Sequence, residues 1–200
     1  MYPEERLELI NASKGHNQII YGKHINLQPY SPNHTSEIVR LRNQEKSRYF
    51  LNQREASTIE SQSKWYTDYV QRNDDINWCI SNKSNVIIGN IRLYSIDSTG
   101  SSCEEGGFII DDAYAMSGPY ALEAKIIVFD FAFNVLQMNK VINVMRIENK
   151  NMISIGKRMG FQFIREFEKN EAFHNIYELT QPAYNRDKLI EILDKWIDRA

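Results

Sequence analysis

The chain has 200 residues, of which 42% are hydrophobic and 25% are charged, and its formal net charge is −2. This composition is typical of one globular domain and excludes a largely disordered chain. The small net charge and the lack of a lysine or arginine run argue against a nucleic-acid-binding protein.

No apolar run in the sequence approaches the length of a membrane span, and the acidic and polar N-terminal residues are unlike the apolar core of a signal peptide. We therefore expect a cytoplasmic protein without a membrane partner. Its two cysteines, Cys79 and Cys103, are expected to be reduced thiols. The four histidines and two cysteines are scattered without ligand spacing, so we predict no metal site.

The first elements in chain order are a short extension, a strand and a helix. Residues 1–20 form an amphipathic lead-in, in which Leu7 and Ile10 are expected to pack on the body of the protein. Alternating apolar residues predict a strand over 25–29. Ser31-Pro32 then signals a helix that runs to about Asn43.

A second helix and a hairpin follow. Ser57-Thr58-Ile59-Glu60 has the spacing of a capping box and predicts a helix start. The predicted inner face of this helix carries Ile59, Trp65 and Tyr69. Polar residues 82–85 form a turn between strands predicted over 77–80 and 86–94.

The C-terminal half alternates strands and helices. Strands are predicted at 103–110 and 141–147, helices at 120–136 and 149–159, and a last strand pair at 161–167 and 173–179. Gln181-Pro182 breaks the chain before an amphipathic helix over 185–198. This order predicts an α/β fold with a mixed sheet flanked by helices.

The turn that joins the 103–110 strand to the next helix is a candidate anion site. Ser117-Gly118-Pro119 is followed by the apolar helix that starts at Tyr120. The first N–H groups of a helix have no partner within it, and the helix dipole favours negative charge there. A phosphate-bearing ligand is therefore the leading hypothesis, although Pro119 carries no N–H.

Four segments, taken in order and with their spacing, resemble the GNAT superfamily of acetyl-CoA-dependent N-acetyltransferases. They are most similar to the subgroup that holds the ribosomal-protein N-terminal acetylases and several amino-sugar acetyltransferases. The segments are Arg40-Leu41-Arg42-Asn43 with Arg48-Tyr49-Phe50, Ile59 with Trp65, Gly107-Phe108-Ile109-Ile110-Asp111 with Tyr114, and Asn149 with Gly160-Phe161.

The resemblance implies a mostly antiparallel mixed sheet that is splayed between its fourth and fifth strands. It covers residues 24–180, which leaves 1–23 as an N-terminal extension and 181–200 as a C-terminal amphipathic helix packed on or next to the domain. The pantetheine arm of acetyl-CoA would pair with the backbone of Phe108, Ile109 and Ile110. The pyrophosphate would lie on the loop formed by Met116, Ser117, Gly118, Pro119, Tyr120 and Ala121.

Three residues depart from the family pattern. Met116 replaces a basic residue, and Gly156 replaces a tyrosine that protonates the leaving thiolate in many relatives. Pro119 either replaces the last glycine of the loop or is an insertion after Gly118, which then serves as that glycine. A lost hydrogen bond to a charged group costs about 1.5–3 kcal/mol. These departures keep open a second hypothesis, in which the chain is a binding or assembly module that retains the fold without catalysis.

The resemblance also implies residues for the reaction. Glu105 falls where many relatives carry a carboxylate that accepts the amine proton through a water, and its alternative role is an ion-paired strand residue. Asn149 would contact the pantetheine or thioester as a second catalytic residue, or act as a helix N-cap, and the two roles are compatible.

Arg42, Tyr49, Phe50 and His174 lie where the acceptor is contacted in the family. The alternatives are core packing for the aromatic residues and a surface position for the histidine. The expected reaction transfers acetyl directly from acetyl-CoA to a primary amine, for which a nucleotide-linked amino sugar is favoured over a protein N-terminus. We expect a monomer or homodimer that binds neither a metal nor nucleic acid.

Overall fold

The computed structural model describes the backbone of residues 1–197 and the side chains of residues 1–195. Its helices are α1 (Pro3–Ala12), α2 (Thr35–Arg42), α3 (Glu45–Phe50), α4 (Ile59–Val70), α5 (Tyr120–Asp130), α6 (Lys150–Met159) and α7 (Arg186–Ile197). Its strands are β1 (Ile20–Tyr21), β2 (Ile25–Pro29), β3 (Ile76–Asn82), β4 (Ile87–Tyr94), β5 (Cys103–Ile110), β6 (Lys140–Arg146), β7 (Gln162–Lys169) and β8 (Ala172–Thr180).

The strands form one 8-stranded sheet in the order β1-β2-β3-β4-β5-β6-β8-β7. Neighbouring strands are antiparallel except β5 and β6, which are parallel. The predicted mixed and mostly antiparallel sheet flanked by helices is therefore confirmed. The short helix α3 and the strand β1 were not predicted, and the last residue of the predicted helix over 185–198 lies outside the described residues.

The sheet separates two layers of helices. On one face, α5 packs through Val128 and Phe129 into the larger core, which also receives Ile10 of α1 and Leu189 of α7. On the other face, α2 and α4 cover a smaller core that includes Tyr69. The burial of Cys79 and Cys103 raises the pKa of both thiols, so neither is a reactive nucleophile.

Two local predictions need correction. Helix α4 is capped by Thr58 and not by Ser57, because Thr58 Oγ1 accepts from Ser61 N–H at 3.0 Å and Ser61 Oγ accepts from Thr58 N–H at 2.9 Å. Ile59 is then the first helical residue and is 53% exposed, so it does not belong to the inner face.

The helix predicted over 120–136 is α-helical only to Asp130. A π-helical turn, Phe131–Val135, continues it. The wider turn lets Phe131 pack edge-on against Trp78 with ring centroids 5.3 Å apart, while Leu136 stays fully buried.

The opening in the middle of the sheet arises where β5 and β6 stop pairing. Their register covers only Cys103 to Glu105 on β5 and Val141 to Asn143 on β6, although both strands continue. A bulge at Gly107-Phe108, opposite Ile91, shifts the register of β5 against β4, and Gly107 adopts a positive φ of 59°. The splay predicted between the fourth and fifth strands of the family fold is therefore confirmed.

Asp111, directly after β5, ties the start of the following loop to α2. Its carboxylate accepts from Arg40 at 2.6 Å, from Gln44 at 2.9 Å and from the N–H of Ala113 at 3.1 Å. Burial acts to raise the pKa of Asp111, but the three donors outweigh it and the pKa lies below its usual value.

Measuring the free energy of unfolding as a function of pH tests how much the Asp111 hydrogen bonds contribute to stability. Because the folded pKa of Asp111 is depressed, its contribution is present above the unfolded pKa of about 3.9 and is lost as the pH falls through the lower folded value. We expect Asp111→Asn to lose about 1 kcal/mol at pH 7, a modest value because Arg40 is half exposed and screened by solvent. Urea denaturation should show this difference shrinking below about pH 4, whereas Asp112→Asn, at an exposed pair with Lys46, serves as the control.

Candidate active site

The opening between β5 and β6 is the centre of the site. Its apex lies at Glu105 and Asn143, the last paired residues of the two strands. Beyond the apex, Phe108, Ile109 and Ile110 on β5 have no β6 partner, so their backbone on that side is free to pair with an extended ligand. The family resemblance implied that the backbone of these three residues pairs with the pantetheine arm of the cofactor.

The loop after β5 approaches the start of α5 through Gly118. A Cβ at this position would lie 2.8 Å from the Tyr120 ring, so the ring packs directly on the glycine. Ser117 donates both its N–H and its hydroxyl to the carbonyl of Tyr114, each at 3.2 Å. The N–H groups at the start of α5 follow Pro119, which supplies none. Met116 is 83% exposed.

An apolar cleft of about 220 Å³ lies beside this loop, between α5, α6 and α7. Sequence reasoning identified its loop residues but missed the walls that α6 and α7 provide. Its lining residues are Ala115, Met116, Gly118, Pro119, Ala121, Leu122, Ile155, Arg158, Met159, Leu189 and Ile192. The cleft can hold an elongated, largely apolar group whose polar end meets the loop.

A second cavity, of about 550 Å³, lies on the opposite face of the sheet between α2 and α4, and we call it the α2–α4 cavity. It reaches Gly107 at the bulge and is lined also by Arg42, Trp65 and Arg92. Arg92 is neutralised, because Asp75 accepts two hydrogen bonds from its guanidinium. No described residue accepts a hydrogen bond from Arg42, whose pKa is lowered by burial and by the neighbouring Arg92.

Tyr49 of α3 lines another cavity together with Asn52 and Arg146, and the Phe50 ring packs edge-on against the Tyr49 ring. Asn52 connects this group to His174, since its amide lies 3.0 Å from His174 Nε2 and its oxygen accepts from Arg146 at 2.9 Å. Arg146 also lies over the Tyr49 ring, 4.1 Å from its centroid. Arg42 lines the α2–α4 cavity and Tyr49 lines this one, and the two cavities share Gln53 and Arg54. Arg146, at the end of β6, was missed by the sequence reasoning.

Glu105 is buried at the apex and faces α5. Its Oε2 accepts from Lys125 Nζ at 2.8 Å and from the amide of Asn143, while Oε1 is buried without a described partner. Lys125 Nζ also lies 4.4 Å from the centroid of the Phe108 ring. Charge pairing at this depth fixes β5, β6 and α5 to one another.

Glu104 faces the other way, toward the layer of α2 and α4. It is paired in register with Tyr94, whose pKa is raised by burial and by the Glu104 carboxylate. Arg92 lies over the Tyr94 ring at 4.7 Å from its centroid, so Glu104 and the α2–α4 cavity share one face of the sheet.

Asn149 caps α6. Its Oδ1 accepts from the N–H of Met152 at 3.3 Å, and its amide nitrogen donates to no described residue. The capping role is thus present, and the amide nitrogen is available to a ligand. No group of histidine, cysteine, aspartate or glutamate side chains in residues 1–197 has the arrangement of a metal site.

Replacing Lys125 tests how much its ion pair with Glu105 contributes to the stability of the fold at the apex. Lys125→Met leaves the Glu105 carboxylate buried without a counter-charge, so we expect a loss of about 3–5 kcal/mol in the free energy of unfolding. The double variant Glu105→Leu/Lys125→Met should recover much of this loss, measured by urea denaturation. Lys157→Met, at an exposed position of α6, is the control. Losses that simply add in the double variant would contradict the pairing.

No helix of the described chain has the length and apolar composition that crossing a membrane requires. No curated protein matches the chain in a sequence comparison. Solved structures do match its fold. One is a GCN5-related N-acetyltransferase from Brucella melitensis, which is 18% identical with a TM-score of 0.74, and the match covers 92% of this chain and 87% of that one.

Two further structures suggest different acceptors within one fold. Spermidine N-acetyltransferase from Vibrio cholerae, in complex with CoA and spermine, is 15% identical with a TM-score of 0.74, covering 82% of this chain and 99% of that one. FdhC, a nucleotide-linked sugar GNAT, is 20% identical with a TM-score of 0.74, covering 87% and 96%. At these identities the likeness shows the fold alone.

The model of one protein family matches the sequence directly. The matched family is the acetyltransferase (GNAT) domain, and the match spans residues 24–162, more than half of the chain. This range includes the splayed strands, the loop before α5 and both helices of the α2–α4 cavity. The chain therefore belongs to the GNAT acetyltransferase family.

Proposed function

We propose that the protein is an acetyl-CoA-dependent N-acetyltransferase that acetylates a primary amine of a small molecule, with a nucleotide-linked amino sugar as the favoured acceptor. One observation carries the proposal. The β5 backbone beyond the apex has no β6 partner, the apolar cleft adjoins the loop that follows β5, and the α2–α4 cavity on the other face of the sheet reaches β5 at Gly107. Two substrates can therefore approach this strand from separate sites.

The residues of the apolar cleft suit acetyl-CoA. The free backbone of residues 108–110 can pair with the amides of the pantetheine arm, and the N–H groups of Gly118, Tyr120 and Ala121 can hold the pyrophosphate. Acetyl-CoA supplies the activated acetyl thioester. The loop lacks one N–H at Pro119 and a cation at Met116, so we expect weaker cofactor binding than a complete loop would give.

The acceptor amine must lose a proton for direct transfer. The family resemblance implied that Glu105 accepts this proton. Its ion pair with Lys125, however, holds the Glu105 carboxylate on the α5 face of the sheet. Glu104 lies on the same face of the sheet as the α2–α4 cavity, although it does not line that cavity, so we propose that Glu104 accepts the proton through a water. Glu105 then acts as a positioning residue that fixes the backbone at the apex.

The alternative acceptor is a protein N-terminus, and the alternative function is a module without catalysis. The module without catalysis is favoured by Met116, Pro119 and Gly156, none of which supplies the group that the family uses at that place.

Calorimetric titration with acetyl-CoA distinguishes the module from the enzyme. Release of free thiol in the presence of amino sugars, peptides or polyamines then identifies the acceptor. Absence of acetyl-CoA binding at millimolar concentration would contradict the proposed enzyme. Cytoplasmic location and a monomeric or homodimeric state stay predictions.

Substitution of Asn149 tests the cofactor site in particular. The free amide nitrogen is expected to donate to the pantetheine arm, so both Asn149→Ser and Asn149→Ala should weaken acetyl-CoA binding about tenfold. Serine retains a capping oxygen, whereas alanine should also cost about 1 kcal/mol of stability. Calorimetry and thermal unfolding measure the two effects separately. Wild-type affinity in the serine variant would show that Asn149 acts only as a cap.

A further inference from the structure

The charge of the α2–α4 cavity limits which amines can enter it. Its lining carries the guanidinium groups of Arg42, Arg54 and Arg92 and one carboxylate, that of the exposed Glu55, while Asp75 pairs with Arg92. The uncharged part of the lining includes the ring of Trp65 and the amides of Gln62, Asn77 and Asn90. A cavity with this balance favours an anionic guest and repels a polycation.

Of the arginines at this cavity and beside it on α2, the partly buried Arg42 has no carboxylate partner in the part of the chain that the structure describes. The Arg92 guanidinium is held by Asp75 and lies 5.4 Å from the centroid of the Trp65 ring. Arg40, two residues before Arg42 on α2, is neutralised by Glu37 and Asp111. Arg42 has no carboxylate partner among the described residues, although it is mostly buried and close to Arg92.

An arginine in this position keeps its proton, since guanidinium is charged at any physiological pH. A partly desolvated charge without a counter-ion is unfavourable until an anion approaches it. The planar guanidinium is suited to bind a phosphate or carboxylate through two parallel hydrogen bonds. The cavity volume of about 550 Å³ falls in the range typical of sites for a sugar-sized ligand.

We propose that the acceptor carries a phosphate group next to its amine-bearing ring, and that Arg42 binds this phosphate inside the α2–α4 cavity. Arg54, at the exposed rim, adds to the positive field of the cavity. This inference rests on the proposed function and narrows it to amino sugars that bear a phosphate or diphosphate. It excludes polyamines, which are the acceptors named for one of the structural neighbours.

Binding to four probes tests the inference without any turnover. Calorimetry compares glucosamine 1-phosphate, uridine-diphosphate glucosamine, glucosamine and spermidine. We expect the two phosphate-bearing probes to bind at least tenfold more tightly than glucosamine, and spermidine not to bind. The uridine-diphosphate arm distinguishes a nucleotide-linked sugar from a simple sugar phosphate. Equal or tighter binding of glucosamine or spermidine would overturn the proposal.

Arginine variants locate the phosphate. Arg42→Gln should weaken the phosphate-bearing probes 10- to 100-fold, the range for a lost hydrogen-bonded charge, and leave glucosamine and acetyl-CoA unchanged. Arg42→Lys should restore part of the loss. Arg165→Gln, on the edge strand β7 where Arg165 lies over Phe167, is the matched control and should bind as wild type. If Arg42→Gln binds the phosphate-bearing probes as wild type does, the proposal is wrong.

The proposed enzyme and this inference fail in different ways. Absence of acetyl-CoA binding to the wild-type protein contradicts the proposed enzyme, whereas acetyl-CoA binding without any preference for phosphate-bearing probes contradicts only this inference. Should Arg42→Gln fail to fold, Arg54→Gln, at an exposed position, replaces it with an expected loss of several-fold in affinity that disappears at high salt.

Discussion

The site depends on the point at which β5 and β6 stop pairing. Their parallel register ends at Glu105 and Asn143, and the bulge at Gly107-Phe108 shifts the pairing of β5 with β4 just beyond it. The Lys125–Glu105 pair, with the Asn143 amide, joins both strands to α5 at the same level. An opening in a sheet exposes unpaired backbone groups, so this structure requires either a ligand or solvent to satisfy them. The apolar cleft adjoins the loop after β5, and the α2–α4 cavity reaches β5 at Gly107 on the other face of the sheet.

Much of this arrangement could be predicted from local sequence. The Gly106-Gly107 pair marked a bulge, Asn149 marked a helix start, and the Ser117-Gly118-Pro119 turn marked the start of α5, because each residue type is selected by backbone geometry within a few positions. The family resemblance added the splay and the role of residues 108–110, which no side-chain pattern encodes. The error at Ser57 was one residue, since either Ser57 or Thr58 could cap α4.

The direction of each side chain at the site was harder to predict. Glu104 and Glu105 point to opposite faces, and only the register beside the bulge decides which of them lies on the face of α2 and α4. Lys125 and Arg146 come from elements distant in sequence, so their contacts with Glu105 and Asn52 follow from tertiary packing alone. Arg42 was identified by its position, but its lack of a carboxylate partner is a property of the whole cavity.

A crystal structure of the protein with bound CoA tests the central claim most directly. We expect the pantetheine arm to lie along the backbone of residues 108–110, with its thiol end near Gly107. The pyrophosphate should bind the turn at 117–121. The α2–α4 cavity should stay free for an acceptor. CoA bound elsewhere, or β5 and β6 paired along their whole length in the complex, would contradict it.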